Sequence, residues 1–314
     1  MANNLHILSA AQVMEMGLVF VGFSKEKEDR TAHHLLVQEF KAHYGCLPVD
    51  LAQMWYDLQT TAIQEAKIDE NERNHKGFKY FMASNFFIWT HTKNASLLSS
   101  RFGISKRQIQ SISFWKWIMR MGALIGEKVV WDEAKLGDDN YAIYIASVDG
   151  VDFNIWEKPS IRYNIDKGLC SHKSRHGAYR YLIALSVWES NCIYVDGPVP
   201  AGSVNDLAQF RQSLKAKVLA LPPGKLIIAD GGYQTSVPDE VGLFAIPNSH
   251  DPSELRTFKT RVRQRHETFN GRLKHFKILQ DTFRFQKEKH GHVFRAVCVR
   301  VQYQMESGSP LFDP

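Results

Sequence analysis

The chain has 314 residues, of which 44% are hydrophobic and 12% aromatic, so it can bury a large core in one or two domains. Lys and Arg number 39 against 33 Asp and Glu, and the net charge of +6 suits a polyanionic partner without identifying one. The four scattered cysteines exclude a disulfide framework, and no apolar run reaches the roughly 18 residues of a membrane span, so a soluble, intracellular protein without a membrane partner is expected.

The first part of the chain, residues 1–138, is predicted to be a helical region. Apolar residues recur at three- and four-residue spacing over residues 34–45 and 49–66, and the breaker sequence GCLP separates the two segments. Residues 67–77 are polar and are interpreted as a linker, after which residues 78–90 predict a third helix.

Residues 94–121 contain a helix-turn-helix candidate. A short apolar helix ending at Phe102 meets Gly103 at the turn, and Ser105 can cap a second helix through its hydroxyl. The second helix would present side chains able to reach phosphates and base edges in DNA, namely Lys106, Arg107, Gln108 and Gln110. The alternative is a structural hairpin with solvated charges, packed through the aromatic sequence FWKWIM that follows.

From residue 139 to residue 314 the pattern changes to β-branched and aromatic runs, which predict strands. The predicted strands cover residues 141–149, 179–188, 191–197, 225–230 and 242–247. Helical patterns occupy residues 205–220 and 252–277. Hairpin strands followed by strands that alternate with helices predict an α/β domain with a mixed sheet covered by helices, the order expected of a ribonuclease-H-like core.

Three acidic residues occupy unusual places in this domain. Asp149 and Asp230 end predicted strands, and Glu267 lies inside the long C-terminal helix. A carboxylate at the tip of a buried strand is costly unless a positive partner meets it, and a divalent metal is the strongest such partner. Hard oxygen ligands suit Mg²⁺ or Mn²⁺, and a pair of such ions can support phosphodiester cleavage. A single strand-end Asp is more often a turn former or a helix cap.

The segments IASVDGVDF, GSVNDLAQFR, IADGGY and RQRHETFNGRLKHFKIL resemble those of the eukaryotic Harbinger-like DDE superfamily endonucleases, which are transposases with a ribonuclease-H-like fold. The resemblance implies that Asp149, Asp230 and Glu267 form a catalytic triad that binds two Mg²⁺ or Mn²⁺ ions. It further implies cleavage and joining of double-stranded DNA at transposon terminal repeats and target sites. A homo-oligomer, an accessory DNA-binding protein and a nuclear location are expected on the same ground.

Two other acids are candidates for a supporting role. Asp152 lies three residues after Asp149, and in a continuing strand an odd offset points its side chain to the opposite face. Asp206 is expected to cap the helix that follows it, with the alternative that it supports the metal ligands from behind.

Basic residues near the acids are candidates for DNA contact. Arg263 and Asn270 lie four before and three after Glu267, on the same helix face, and Lys173 and Arg175 belong to a second basic segment. Other cations of the long helix are interpreted as a solvated face: Arg261, Arg265, Arg272 and Lys274. A zinc site at Cys170, His172 and His176 would lack a fourth ligand and is not favoured.

The leading hypothesis is therefore a DDE transposase acting as a metal-dependent DNA endonuclease. The alternative is a domesticated descendant that binds DNA as a regulator and has lost strand transfer. Retention of Asp149, Asp230 and Glu267 favours the enzyme.

Overall fold

A computed structural model describes residues 5–92, 94–132, 143–157 and 166–314. The chain divides into two compact units. The first, here the helical unit, comprises Met1–Lys128, Leu273–Asp281 and Glu288–Ser309. The second, the sheet unit, comprises Val129–Arg272, Thr282–Lys287 and Pro310–Pro314. The domain boundary predicted between residues 138 and 139 lies outside the described residues.

The helical unit contains the helices predicted in the first part of the chain, together with two from the C-terminal part. Numbered along the whole chain, they are α1 (Ala10–Phe20), α2 (Lys25–Asp29), α3 (His33–Tyr44), α4 (Pro48–Thr60), α5 (His75–Thr90), α6 (Ala95–Phe102), α7 (Lys106–Gln110), α8 (Ile112–Ala123), α9 (Ile125–Lys128), α13 (Lys277–Gln280) and α14 (His290–Glu306). Within the described residues, no helix is both long and apolar enough to cross a membrane.

The breaker between α3 and α4 has a clear physical basis. Gly45 ends α3 with a left-handed φ of 73°, and a Cβ there would lie 2.1 Å from the ring of Trp89. Pro48 then occupies the first turn of α4, where its missing N–H costs no hydrogen bond. The segment interpreted as a linker is shorter than predicted, because Asn74 caps α5, which begins at His75.

Aromatic side chains form the core of the helical unit. Trp55 is completely buried, and its ring centroid lies 5.3 Å from Phe78, 5.4 Å from Phe81 and 6.0 Å from Trp117. The aromatic sequence of α8 therefore belongs to the core, as the sequence suggested. Arg300 of α14 is also fully buried and donates hydrogen bonds to the Asn85 side chain and to the Tyr44 carbonyl.

The turn between α6 and α7 follows the predicted pattern. Gly103 ends α6 with φ 57°, and the Ser105 hydroxyl accepts a hydrogen bond from the Gln108 N–H as the N-cap of α7. The predicted second helix is short, since α7 has only five residues and α8 follows directly after Ser111.

The sheet unit is built on five strands in the order β3-β2-β1-β4-β5. They are β1 (Tyr144–Asn154), β2 (Ala178–Ser186), β3 (Cys192–Pro200), β4 (Leu226–Ile228) and β5 (Phe244–Ala245). Strand β2 is antiparallel to β1 and β3, whereas β4 is parallel to β1 and β5. The predicted mixed α/β architecture is therefore confirmed.

Successive strand residues point to opposite faces of the sheet, and helices cover both faces. On one face, Val148 and Ile227 pack against Phe210 of α10 (Asp206–Ser213). They also pack against Leu214, which joins α10 to α11 (Lys215–Leu219). We call this the α10 face. The opposite face, the α12 face, packs Ile228 and Val187 against Val262 of α12 (Ser253–His275).

Several element boundaries differ from prediction, and three of the differences concern elements next to the candidate site. Strand β1 continues to Asn154, five residues past its predicted end at Asp149, because Ala178 and its neighbours in β2 pair with this extension. Strand β4 ends at Ile228, before Asp230. The helix predicted over residues 205–220 is divided at Leu214 into α10 and α11. The first two residues of the predicted first strand lie outside the described residues.

Candidate active site

Asp149 lies on β1, and Asp230 lies two residues beyond the end of β4, the parallel neighbour of β1. Ser147 of β1 pairs with Ile228 of β4, and each aspartate lies two residues beyond its strand's member of that pair. Asp230 keeps an extended backbone, with φ −85° and ψ −179°. Because side chains alternate with a period of two, both carboxylates point to the same face as Ser147 and Ile228, which is the α12 face.

Helix α12 crosses this face directly above the first aspartate. The Ser147 hydroxyl and Nδ1 of His266 lie 2.9 Å apart, and one turn later Asn270 donates from Nδ2 to Asp149 Oδ2 at 3.2 Å. Glu267 follows His266 on the helix and is exposed, at the solvent edge of the buried stripe. Glu267 therefore lies on the exposed side of α12, whereas His266 and Asn270 contact β1.

The electrostatics of Asp149 are those of a crowded acidic site. The pKa of Asp149 is raised to about 6, mainly by burial, and the charges of Asp230 and Glu267 act in the same direction. The charge of Lys173 and a 2.8 Å hydrogen bond from the Gly150 N–H act in the opposite direction. The Asp149 carboxylate thus lies within electrostatic reach of both partner acids and holds its proton more tightly than an exposed aspartate.

Asp230 also has a local structural role. Its Oδ1 accepts a 2.8 Å hydrogen bond from the Gly232 N–H and caps the short 3₁₀ turn Gly231–Tyr233. Asp230 therefore forms a turn, as a strand-end aspartate often does. This cap uses Oδ1 and leaves Oδ2 for another contact.

Lys173 is the cation of the 166–177 loop that approaches the acids. Its Nζ lies 3.5 Å from the Gly150 carbonyl, and its charge lowers the pKa of both Asp149 and Asp206. The Ser171 hydroxyl anchors this loop by donating to Asp152 Oδ2 at 2.6 Å. Arg175 is exposed, with a left-handed φ of 55°, and Arg263 is exposed on α12.

The two supporting acids lie on the α10 face, opposite Asp149. Arg180 Nε donates to Asp152 Oδ1 at 2.7 Å, and Nη2 donates to Oδ2 at 3.0 Å, so Asp152 points to the face opposite Asp149, in line with its odd offset in the strand. The expectation that Asp206 caps α10 is wrong, because Asn205 accepts the 2.8 Å bond from the Ala208 N–H. Arg180 could be found in the sequence only as a lone charge inside an otherwise apolar strand.

The expected solvated face of α12 is only partly present, because Arg261 and Lys274 are exposed whereas Arg265 is buried and Arg272 is half-buried. Arg265 is buried and donates to the backbone carbonyls of Val187 and Glu189. Arg261 and Arg272 donate to the carbonyls of Asp313 and Pro310, each at 2.9 Å. These acceptors lie far away in the sequence, so helical periodicity alone could not reveal them.

The polar side chains of α7 in the helical unit are exposed, namely Lys106, Arg107, Gln108 and Gln110. Gln108 is partly committed to the helix itself, since its Oε1 accepts hydrogen bonds from the Ser105 N–H and hydroxyl. Lys106, Arg107 and Gln110 are the more accessible of the four for a partner.

The acidic site offers oxygen donors of the kind that Mg²⁺ and Mn²⁺ prefer. Among the described residues, no group of three or more His, Cys, Asp or Glu side chains is arranged to hold a metal ion. Mg²⁺ is, however, commonly held by one or two carboxylates together with waters and substrate phosphate. The adjacent Asp149 and Asp230 fit that donor set, and the raised pKa of Asp149 indicates a carboxylate that lacks full positive compensation.

Residues 148–301 match the family model of the DDE superfamily endonucleases. The matched segment begins within β1 and contains Asp149, Asp230 and Glu267, together with β4 and α12. The match supports the DDE superfamily, and such a family suggests a nuclease that acts on DNA; it does not reach the Harbinger-like branch. No curated protein and no solved structure matches the chain significantly.

Proposed function

We propose that this chain is a DDE transposase that cleaves and joins DNA phosphodiesters at transposon ends. The observation that carries the proposal is the parallel pairing of β1, which bears Asp149, with β4, which leads to Asp230, together with the contact between α12 and Asp149. The Harbinger-like subtype and the ribonuclease-H-like fold are part of the proposal. The strand order, with three antiparallel strands followed by two parallel ones, supports that fold.

In this proposal Asp149, Asp230 and Glu267 hold two Mg²⁺ or Mn²⁺ ions. Such ions, when bound, activate a water or a 3′ hydroxyl and stabilise charge on the leaving oxygen. Asn270 orients the Asp149 carboxylate through its amide. Lys173 and Arg263 attract the phosphate backbone, and Asp152 and Asp206 support the site from the α10 face.

DNA recognition is assigned to both units. Lys106, Arg107, Gln108 and Gln110 of α7 contact terminal-repeat DNA in the manner of a helix-turn-helix, and Lys173, Arg175, Arg263 and Asn270 contact the strand near the acids. A homo-oligomer that brings two DNA ends together, an accessory DNA-binding protein and a nuclear location complete the proposal.

The decisive experiment compares wild type with Asp230→Asn, which keeps the side-chain shape and removes its charge. The substrate is a duplex carrying the terminal inverted repeats that flank the gene. We expect Asp230→Asn to abolish nicking that depends on Mg²⁺ or Mn²⁺ and to retain most salt-sensitive binding, because many Lys and Arg contacts share that affinity. Asp239→Asn is the matched control, since Asp239 is an exposed acid paired with Lys215.

Two kinds of outcome contradict the proposal, and a third would show that the control has failed. Nicking by wild type in the presence of a chelator, or equal nicking by Asp230→Asn, excludes the metal nuclease. Binding of terminal DNA by both proteins without any nicking favours the domesticated DNA-binding descendant. Loss of nicking in Asp239→Asn as well shows that the assay reports stability rather than the site.

A further inference from the structure

Gly150, the residue directly after Asp149, lies against another carboxylate. A Cβ atom at Gly150 would stand 1.9 Å from Asp206 Oδ1 and 2.6 Å from Asp206 Cγ. No heavy atom can occupy that distance, so only glycine allows this approach. The Asp206 carboxylate therefore supports the backbone of β1 from the α10 face, immediately behind the residue whose side chain faces α12.

Arg180 holds Asp206 in this position. The Arg180 side chain is nearly buried, and its Nη1 lies 3.3 Å from Asp206 Oδ1 and donates to the Val204 carbonyl at 3.0 Å. Its other nitrogens bind Asp152, which is part of β1 itself. A single guanidinium thus links β1 to the segment that leads into α10, and its planar fork suits such multiple contacts better than lysine does.

Asp206 has few alternatives to this arrangement. Its Oδ1 is buried and has no hydrogen-bond partner within the described residues, so the ion pair with Arg180 is its main compensation. The ring of Tyr233 borders the same place, with its centroid 6.3 Å from that of Phe210 in α10. Burial raises the pKa of Tyr233, and the charges of Asp206 and Asp149 raise it further, so its hydroxyl lies near both acids.

We propose that Arg180 and Asp206 are positioning residues, which fix the Asp149–Gly150 backbone from behind and thereby aim the Asp149 carboxylate towards Asp230. Neither side chain points to the α12 face, so neither contacts substrate there. The inference rests on the proposed metal-dependent function for its meaning. It adds that the orientation of the Asp149 carboxylate depends on the contact between Gly150 and the Asp206 carboxylate on the α10 face.

A double-mutant cycle tests this contact through Mn²⁺ binding to the DNA-free protein, measured by calorimetry. Gly150→Ala keeps every charge, and we expect it to weaken Mn²⁺ binding by about 10-fold or more, the scale of changes just outside a metal's ligands. In the double variant with Asp206→Ala, the new methyl group occupies space that the carboxylate has left. The combined loss should therefore be clearly smaller than the product of the two single losses.

A matched control is Gly231→Ala. Gly231 follows Asp230 just as Gly150 follows Asp149, but a Cβ there meets nothing within 4 Å. We expect Mn²⁺ affinity within about two-fold of wild type. Equal effects of the two alanine substitutions, or fully additive effects in the cycle, would overturn the inference.

Arg180→Lys provides a second route should Gly150→Ala fail to fold. It conserves charge and loses the multiple contacts, so weaker Mn²⁺ binding reports positioning rather than net charge. Arg211→Lys, which alters a similar pairing with Glu240, should leave Mn²⁺ binding unchanged. Asp149→Asn separates the two levels of the argument. If it leaves Mn²⁺ affinity unchanged, the proposed function fails; if it weakens binding while Arg180→Lys does not, only the positioning role fails.

Discussion

The Asn270 amide donates a 3.2 Å hydrogen bond to Asp149 Oδ2 and so ties α12 to β1 at the level of the acidic pair. Asn270 is buried, whereas Glu267, three residues earlier on the helix, is exposed. The two residues share a helix but differ in environment. Asn270 contacts the Asp149 carboxylate, whereas Glu267 presents its own carboxylate to solvent.

Removing this hydrogen bond should affect catalysis more than folding. We expect Asn270→Ala to reduce Mg²⁺-dependent nicking by about 10-fold or more, because groups that orient a metal ligand have effects of this size. Single-turnover nicking and the melting temperature are measured together. Gln264→Ala, an exposed change on the same helix, is the control. A parallel collapse of melting temperature and nicking would assign Asn270 to stability alone.

The raised pKa of Asp149 predicts how stability depends on pH. Folded Asp149 keeps its proton up to pH about 6, whereas the unfolded chain releases it near the ordinary value of 3.8. The folded state therefore binds more protons between these values, and its stability falls as pH rises through this window, by at most about 3 kcal/mol.

The test uses urea unfolding in chelator from pH 4 to pH 7, for wild type and Asp149→Asn. The substituted amide cannot titrate, so the difference in unfolding free energy between the two proteins should change across this range and level off above it. A constant difference would mean that Asp149 is as well solvated in the fold as in the unfolded chain.

Arg107 separates DNA contact from structure in the helix-turn-helix candidate. Its side chain is exposed, so Arg107→Ala should leave the melting temperature unchanged. If it contacts a base, affinity for terminal-repeat DNA falls by about 1–3 kcal/mol, with relaxed specificity at one base pair. Gln108→Ala should also lower stability, because Gln108 completes the capping box with Ser105. Unchanged affinity of Arg107→Ala at every salt concentration would show that the hairpin is structural.

Arg265 should behave as a structural residue despite its charge. Arg265→Ala leaves the buried Val187 carbonyl without its donor and removes the bond to Glu189 as well, so we expect a loss of about 1–3 kcal/mol in unfolding free energy. Urea unfolding of Arg265→Ala and Gln264→Ala, which are neighbours on α12, provides the comparison. Equal stabilities would return Arg265 to the solvated face that its sequence context suggests.

Local signals allowed correct prediction where the governing interaction is local. Gly103 and Ser105 mark the α6–α7 turn because a left-handed backbone and an N-cap are set by residues within four positions. Asp149 and Asp230 could likewise be singled out from the sequence because both follow strongly apolar runs, which form the neighbouring strands β1 and β4.

Long-range partners explain what the sequence could not reveal. Strand β1 continues past Asp149 because residues 178–182 of β2 pair with residues 150–154. Arg265 is buried because carbonyls far away in the sequence accept hydrogen bonds from its guanidinium. Asn205 and Asp206 are equally good caps by residue type, so only the packing of Asp206 against Gly150 decides between them.

The parallel pairing of β1 and β4 has an implication for how the acidic pair changes as substitutions accumulate in evolution. Adjacent strands stand about 4.8 Å apart, a spacing set by peptide hydrogen bonds that almost every residue type can make. Substitutions elsewhere in the strands therefore leave the spacing of β1 and β4 nearly constant, while a change at Asp149 or Asp230 removes a carboxylate outright. We expect the pair to be lost by a single substitution and not by a gradual change in strand spacing. In any descendant, the identities of the residues at positions 149 and 230 therefore show whether the pair has been kept.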